Sequence, residues 1–326
     1  MQINRATVSV VIPTWNRAHC ISDCINSVLN QTVSADEIIV VDDGSTDNTW
    51  EILLKFEKKG IIPIWQRNSG VSVARNAGIL RAKSGWVAFL DSDDCWLPDR
   101  LEVFHRDIES CSEDVGVHIS NALICDSMYR LEAFKIRDYK FPQGIATKVP
   151  DPCELAITGV FTPTAVVKAD WIERVGGFNT KMTIFEDLLF FTQLSLLGPW
   201  LMVGDIVVEI VRLNRDVDAL SNQAITQAAY SAQQMVYLCE ELLKSENLSR
   251  HHQIIFANRY SGALLHLAKV QVSNGHVKES RRTLLKAAMS HSNRCIGLIK
   301  SVIPLVFGVQ GFNFILQKKE SFRRIN

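Results

Sequence analysis

The sequence lacks several features that would assign it to common classes. Its eight cysteines are scattered singly, without a CxxC pair and without the density of a disulfide-stapled chain. No GxGxxG follows the first strand-like segment, which excludes a dinucleotide-dependent dehydrogenase. Lys plus Arg and Asp plus Glu both total 35, so the net charge is zero and a nucleic-acid partner is not expected. Residues 1–7 carry no signal-peptide pattern, so we expect a protein of the cytoplasm.

The first two thirds of the chain alternate between strand and helix patterns. Such alternation predicts an α/β domain with a Rossmann-like, mostly parallel sheet flanked by helices. Between about residues 120 and 170, proline and glycine interrupt the periodicity, so we expect loops and short strands that shape an acceptor site. The predicted strands are 8–12, 38–41, 61–65, 86–90, 164–168 and 206–211, and the predicted helices are 17–30, 48–58, 71–83, 186–197 and one opened by Pro98.

The last third of the chain shows only helix patterns, at residues 223–244, 250–272 and 277–290. We therefore expect a catalytic domain over residues 1–220 and a helical region over residues 221–326. The helical region is a candidate for contact with a membrane interface or with a second copy of the chain. Within it, residues 296–316 are long enough to cross a bilayer but contain Lys300 and Pro304. An interfacial helix, ordinary packing and a true span all remain open for this segment.

Two apolar runs end abruptly in acids: residues 37–43 (EIIVVDD) and residues 86–94 (WVAFLDSDD). This pattern is typical of buried parallel strands that emerge at the carboxyl edge of a sheet, where ligands bind. Asp91, Asp93 and Asp94 repel one another there, and a divalent cation that carries a diphosphate is the simplest neutralising partner. The sequence therefore predicts a metal-diphosphate site.

The end of the first strand offers further candidates for nucleotide contact. Pro13 and Thr14 directly follow buried apolar residues and leave backbone groups free to meet a flat base. Asn16 and Arg17 stand at a predicted helix start, where they can either cap the helix or contact the nucleotide.

Four motifs in order resemble the family 2 glycosyltransferases with a GT-A fold. They are residues 8–17 (VSVVIPTWNR), 40–47 (VVDDGSTD), 70–78 (GVSVARNAG) and 89–94 (FLDSDD). The resemblance covers roughly residues 8–215, and the C-terminal hundred residues lie outside it.

The resemblance implies roles for residues at the donor site. Asp43 accepts a hydrogen bond from a uracil imide N–H, whereas Asp42 is expected to order the following turn. Asp93 coordinates Mn²⁺ or Mg²⁺, and Asp91 contacts the ribose or completes the metal shell. Arg75 contacts the nucleotide, with a surface ion pair as the alternative.

The resemblance also implies an inverting mechanism with a carboxylate base. Such transfer requires an acceptor hydroxyl to lose its proton as it attacks the anomeric carbon. The family pattern makes Asp187 the base, and Glu186 either orients it or binds the acceptor, although acids also favour helix N-termini for electrostatic reasons. In the segment 211–215 (VRLNR), Arg212 matches the arginine of the family's diphosphate loop, but Asn214 replaces the usual histidine, so Arg212 or Arg215 takes over the contact.

These observations predict an inverting glycosyltransferase that uses a nucleotide-diphosphate sugar, with UDP as the expected nucleotide. Its acceptor would be a glycan or a lipid-linked oligosaccharide at the cytoplasmic face of the membrane. Two alternatives remain: a nucleotidyltransferase, although residues 13–17 lack the glycine-rich loop it would need, and a non-catalytic sugar-nucleotide binding or scaffold module.

Overall fold

The computed structural model describes residues 5–126, 128–212, 228–246 and 248–290. The chain divides into two compact units, Met1–Val217 and Asp218–Asn326. No helix in the described ranges combines the length and the apolarity that a membrane span requires.

The first unit is built on a ten-stranded sheet, whose strands are β1 (Val8–Thr14), β2 (Glu37–Asp42), β3 (Ile61–Trp65), β4 (Trp86–Phe89), β5 (Cys95–Trp96), β6 (Val117–Asp126), β7 (Arg130–Glu132), β8 (Thr147–Val149), β9 (Ala165–Lys168) and β10 (Trp200–Arg212). Their order in the sheet is β3-β2-β1-β4-β9-β6-β10-β5, with β7 beside β6 and β8 beside β10. Its helices are α1 (Ile21–Leu29), α2 (Thr49–Glu57), α3 (Val71–Arg81), α4 (Arg100–Ser110), α5 (Ala133–Ile136), α6 (Cys153–Ala156), α7 (Ala169–Val175) and α8 (Glu186–Ser195).

The sheet is mixed in direction. Strands β3, β2, β1 and β4 run parallel, as the alternating pattern predicts, and β10 runs parallel to β6. Between these two groups, β9 is antiparallel to both β4 and β6, and the short strands β5, β7 and β8 are also antiparallel to their partners. The α/β class is confirmed, but the parallel part is confined to the strands that carry the acidic motifs and to the β6–β10 pair.

Both faces of the sheet are buried. Along β1, Val10 and Ile12 pack on one face and Val11 packs on the other, and all three are fully buried. On the Val11 face, α3 lies so close to β1 that a Cβ on Gly78 would meet Cγ1 of Val11 at 2.4 Å. This close approach fixes the position of α3, whose first turns enter the site described below.

Strand β6 is the largest difference from the sequence-based prediction, which expects loops and only short strands between about residues 120 and 170, because β6 is ten residues long. This strand carries buried polar residues that interrupt the apolar pattern: His118, Ser120 and Asn121. Each makes at least one hydrogen bond to another segment; Asn121, for example, accepts from the backbone N–H of Phe134 at 3.0 Å. Two helix starts also differ, because α1 begins at Ile21 and α4 at Arg100, after Pro98.

The second unit contains three described helices, α9 (Ala228–Leu243), α10 (Arg250–Ser273) and α11 (Val277–Ser290). Helices α10 and α11 form a helical hairpin, with Gly275 at φ +82° in the turn. Small residues hold the crossing, where Ser261 donates to the carbonyl of Ala287 and Ser280 to that of Ala268. The segment 296–316, for which an interfacial helix, ordinary packing and a span were considered, lies outside the described residues.

Candidate active site

The carboxyl ends of three neighbouring strands form one edge of the site. Strand β1 lies between β2 and β4 and pairs in parallel with both, so Thr14, Asp42 and Asp91 emerge on the same side of the sheet. The backbone N–H of Asp43 donates to the carbonyl of Thr14 at 2.8 Å. The acids at the ends of β2 and β4 therefore flank the end of β1, as the strand pattern predicts.

Asp43 is buried and holds the loop that precedes α3 in place. Its Oδ1 accepts from the side chain of Gln66 at 2.7 Å and from the N–H of Ser69 at 2.9 Å, and its Oδ2 accepts from the N–H of Gly70 at 2.7 Å. An ionised carboxylate offers roughly four acceptor positions, so three protein donors leave room for one more on Oδ2. This geometry is compatible with the predicted acceptance of a base N–H.

Asp42 orders the turn that follows β2, as expected. Its Oδ1 accepts from both the N–H and the hydroxyl of Ser45, at 2.9 and 2.5 Å, and burial raises its pKa. Asn16 belongs to the same loop system: it lies at φ +52°, and its side-chain oxygen accepts from the N–H of Thr46 at 2.7 Å. Asn16 therefore ties the β1–α1 loop to the β2–α2 loop and does not cap α1.

The residues at the end of β1 differ in exposure from the residue that follows them. Pro13 and Thr14 are buried within β1, and the Thr14 hydroxyl has no hydrogen-bond partner in the described part of the chain. Trp15, which the sequence reasoning missed, is 39% exposed and immediately follows them. The signal in the sequence was an aromatic residue directly after an apolar strand pattern, and the structure adds that its ring is exposed and therefore suits stacking on a flat base.

Arg75 joins the two acidic parts of the site. It projects from α3, is 5% exposed, and pairs through Nη2 with Asp91 at 2.8 Å and through Nη1 with Glu186 at 2.9 Å. Its guanidinium also lies over the ring of Phe178, 5.1 Å from the centroid. The structure thus places Arg75 in a buried ion-pair network, in contrast to the surface ion pair considered from the sequence. It also brings the 89–94 motif and the start of α8 together.

The two acids at the start of α8 have perturbed proton affinities. Burial, followed by the charge of Asp187, raises the pKa of Glu186 to about 7. Burial also raises the pKa of Asp187, against the attraction of Arg75. Burial alone would lower the pKa of Arg75, but the charges of Asp91 and Glu186 raise it, so Arg75 stays cationic. Phe185, at φ +61°, makes the strained turn that presents these acids.

The other members of the acidic cluster have separate partners. Asp93 lies 3.6 Å from Nη2 of Arg17, which links the 89–94 motif to the β1–α1 loop. Asp94 accepts from the N–H of Val211 at 3.0 Å and thereby anchors the end of β10. Arg212 ends β10, and its side chain lies outside the described part of the structure, as do Asn214 and Arg215.

The donor set at the mouth of the site fits a hard divalent cation. The Asp91 and Asp93 side chains are 33% and 34% exposed, and carboxylate oxygens are the ligands that Mg²⁺ and Mn²⁺ prefer. No group of three or more His, Cys, Asp or Glu side chains arranged to hold a metal occurs among the described residues. Two protein carboxylates with the remaining positions filled by diphosphate and water match the way Mg²⁺ is bound beside phosphates.

Comparison with known proteins places these motifs in one family. Residues 9–142 match the family model described as "Glycosyl transferase family 2". Among curated relatives, the putative teichuronic acid biosynthesis glycosyltransferase TuaG of Bacillus subtilis is 46% identical over 98 residues, which are 29% of this chain and 39% of that protein. The UDP-Glc:alpha-D-GlcNAc-diphosphoundecaprenol beta-1,3-glucosyltransferase WfgD of Escherichia coli is 40% identical over 97 residues, 29% of this chain and 38% of that protein. The matched segment thus spans well under half of either relative.

Solved structures show the same fold at low sequence identity. S. aureus TarS 1–349 in complex with UDP-GlcNAc aligns with a TM-score of 0.73 and 19% identity, over 98% of this chain and 92% of that one. The mannosyltransferase PcManGT of Pyrobaculum calidifontis, in complex with GDP-Man and Mn²⁺, aligns with a TM-score of 0.53 and 17% identity, over 96% of this chain and 84% of that one. The predicted GT-A fold is confirmed.

Proposed function

Because residues 9–142 belong to glycosyl transferase family 2, we propose that the chain moves a sugar from a UDP-sugar to a hydroxyl of a glycan or lipid-linked acceptor, with inversion at the anomeric carbon. The observation that carries this proposal is the bridge made by Arg75. By pairing with both Asp91 and Glu186, it sets the α8 acids against the donor-side acids. This arrangement supports a base that faces the proposed diphosphate site, as inverting transfer requires.

Asp187 acts as the general base. The acceptor hydroxyl gives its proton to the Asp187 carboxylate while its oxygen bonds to the anomeric carbon, and the bond from that carbon to the diphosphate oxygen breaks. The raised pKa of Asp187 makes it a stronger base than a surface aspartate. Glu186 is held by Arg75 and positions the start of α8, so Asp187 faces the acceptor.

The nucleotide is held at the ends of β1 and β2. Asp43 accepts the base N–H through its remaining acceptor position, and the exposed ring of Trp15 offers a stacking surface. A bound Mn²⁺ or Mg²⁺ held by Asp93 and Asp91 would neutralise charge on the diphosphate as it leaves. Arg17, 3.6 Å from Asp93, adds a positive charge on the same side.

The names of two relatives suggest the class of acceptor. One is named for teichuronic acid biosynthesis and another for a sugar linked to diphosphoundecaprenol, so a cell-envelope glycan or its lipid-linked precursor is the acceptor class we propose. The chain would then act at the cytoplasmic face of the membrane.

The decisive experiment is a donor screen that measures released nucleoside diphosphate, with and without Mn²⁺, for the wild type and Asp187→Asn. We expect kcat to fall by about 10²–10⁴ in the variant with little change in donor binding, because only proton transfer is lost. Asp170→Asn, which changes an exposed acid in the first turn of α7, is the matched control and should retain activity. Turnover by Asp187→Asn close to the wild-type rate would reject Asp187 as the base.

A further inference from the structure

The zero net charge of the chain hides a strong division of charge. Residues 1–217 contain 21 Lys and Arg against 29 Asp and Glu, a net charge of −8. Residues 218–326 contain 14 Lys and Arg against 6 Asp and Glu, a net charge of +8. A charge asymmetry of this kind indicates an anionic partner for the basic unit.

Helix α11 concentrates this charge on one side. Its buried side, made by Ser280, Leu284, Ala287 and Ala288, packs within the second unit. Four of its other residues are basic and exposed, against the single acid Glu279: Lys278, Arg281, Arg282 and Lys286. Lys286 pairs with Glu240 at 2.8 Å, whereas no ion pair within the described part of the chain joins the other three to a carboxylate.

Two large apolar side chains project from the middle of this basic surface. Leu285 is 57% exposed and Met289 is 80% exposed, and their spacing of four residues places them on the same side of the helix. Viewed down the helix axis, with 100° of rotation per residue, Lys278 lies between Leu285 and Met289. Arg281 and Arg282 lie on either side of this pair. The exposed face of α11 is therefore apolar at its centre and cationic around it.

We propose that this exposed face of α11 docks on the surface of an anionic lipid bilayer. The cations would lie among the lipid headgroups, while Leu285 and Met289 would enter the boundary between headgroups and acyl chains, as in interfacial amphipathic helices. A soluble polyanion would use the charge but not the apolar pair. A second copy packed face to face would bring like charges together. This inference goes beyond sugar transfer and does not depend on it.

The test is co-sedimentation of the full chain with vesicles of phosphatidylcholine alone or mixed with phosphatidylglycerol. We expect binding to the anionic vesicles only, weakened by salt. The double variant Arg281→Glu and Arg282→Glu should lower partitioning at least about tenfold, because each surface cation contributes substantially to membrane attraction. Leu285→Gln with Met289→Gln should lower it several-fold without changing the charge.

The matched control is Arg250→Glu with Lys269→Glu, which makes the same change in charge at exposed positions of α10. This control should bind clearly better than the α11 charge variant, and circular dichroism should show all variants folded. Equal loss in the control would show that diffuse charge, not α11, drives binding. Full binding by both α11 variants would show that another part of the chain binds the vesicles. Binding undiminished by the Gln pair would make the surface a polyanion site. Any of these results overturns the proposal.

Discussion

Replacing Glu186 by Gln should stabilise the first unit at neutral and alkaline pH. In the folded protein, burial and the charge of Asp187 raise the pKa of Glu186 from 4.5 to about 7. Between these values, the folded state keeps a proton that the unfolded state releases, so the stability contributed by this group falls as pH rises. The full difference corresponds to about 3 kcal/mol above pH 7, and it includes the opposing attraction of Arg75.

Glutamine mimics the protonated side chain and can still accept the hydrogen bond from Arg75. The variant should therefore match the wild type below about pH 4.5, and its advantage should grow to about 3 kcal/mol above about pH 7. All seven tryptophans lie in residues 1–217, so tryptophan fluorescence during chemical denaturation reports on the first unit alone.

Glu37→Gln is a control for which we expect a change in stability of the opposite sign. Burial tends to raise the pKa of Glu37, but hydrogen bonds from Ser9 and Lys83 outweigh this and lower it. Its ionised form therefore stabilises the fold, so the variant should be less stable than the wild type at all pH values above the ordinary value of 4.5, and the difference should disappear as pH falls below that value. A Glu186→Gln variant that is equally or less stable than the wild type at alkaline pH would refute our account, because it would show that ionised Glu186 is satisfied by Arg75.

Three further predictions follow from other contacts. Gly78→Ala should cost about 1–3 kcal/mol of stability in the same assay, because its methyl group would collide with Val11 and push α3 from β1; an unchanged midpoint would contradict this packing. Burial lowers the pKa of His118, so the free energy of unfolding of the first unit should fall as pH falls below 6.5. His118→Gln should reduce the slope of this pH dependence by up to about 1.4 kcal/mol per pH unit, and an identical slope would exclude His118 as its source. Asp93→Asn should weaken the dependence of sugar transfer on Mn²⁺ titrated in solution, while an unchanged titration curve would remove Asp93 from the metal site.

The parallel part of the sheet and its acidic edge were predictable because local pattern determines both. Apolar runs that end in acids identify strands whose two faces are covered, and β2 and β4 emerged where such runs predict them. Strand β6 was not predictable in the same way. Its buried His118 and Asn121 are stabilised by Asp107 and by the backbone of Phe134, so the reason they can be buried lies elsewhere in the sequence.

The same distinction applies to the site. The sequence pattern identified Asp91, Glu186 and Arg75 as candidates, but it could not show that one guanidinium pairs with both acids. The contact between Arg75 and Glu186 joins residues 111 positions apart and depends on how α3 and α8 pack. The partners of Asp43 also come from the β3–α3 loop, whose path depends on the sheet. The sequence therefore identified which residues belong to the site, whereas the contacts between them could be known only from the fold.

The division of charge makes the two units respond differently to an anionic surface. A unit with a net charge of +8 is attracted to an anionic surface, and a unit with a net charge of −8 is repelled by it. Both forces act within about a Debye length, roughly 10 Å at moderate salt, so raising the ionic strength weakens the attraction of the basic unit to the surface. High salt should therefore weaken vesicle binding while leaving transfer to a soluble acceptor largely intact, and parallel loss of both would argue against separate roles for the two units.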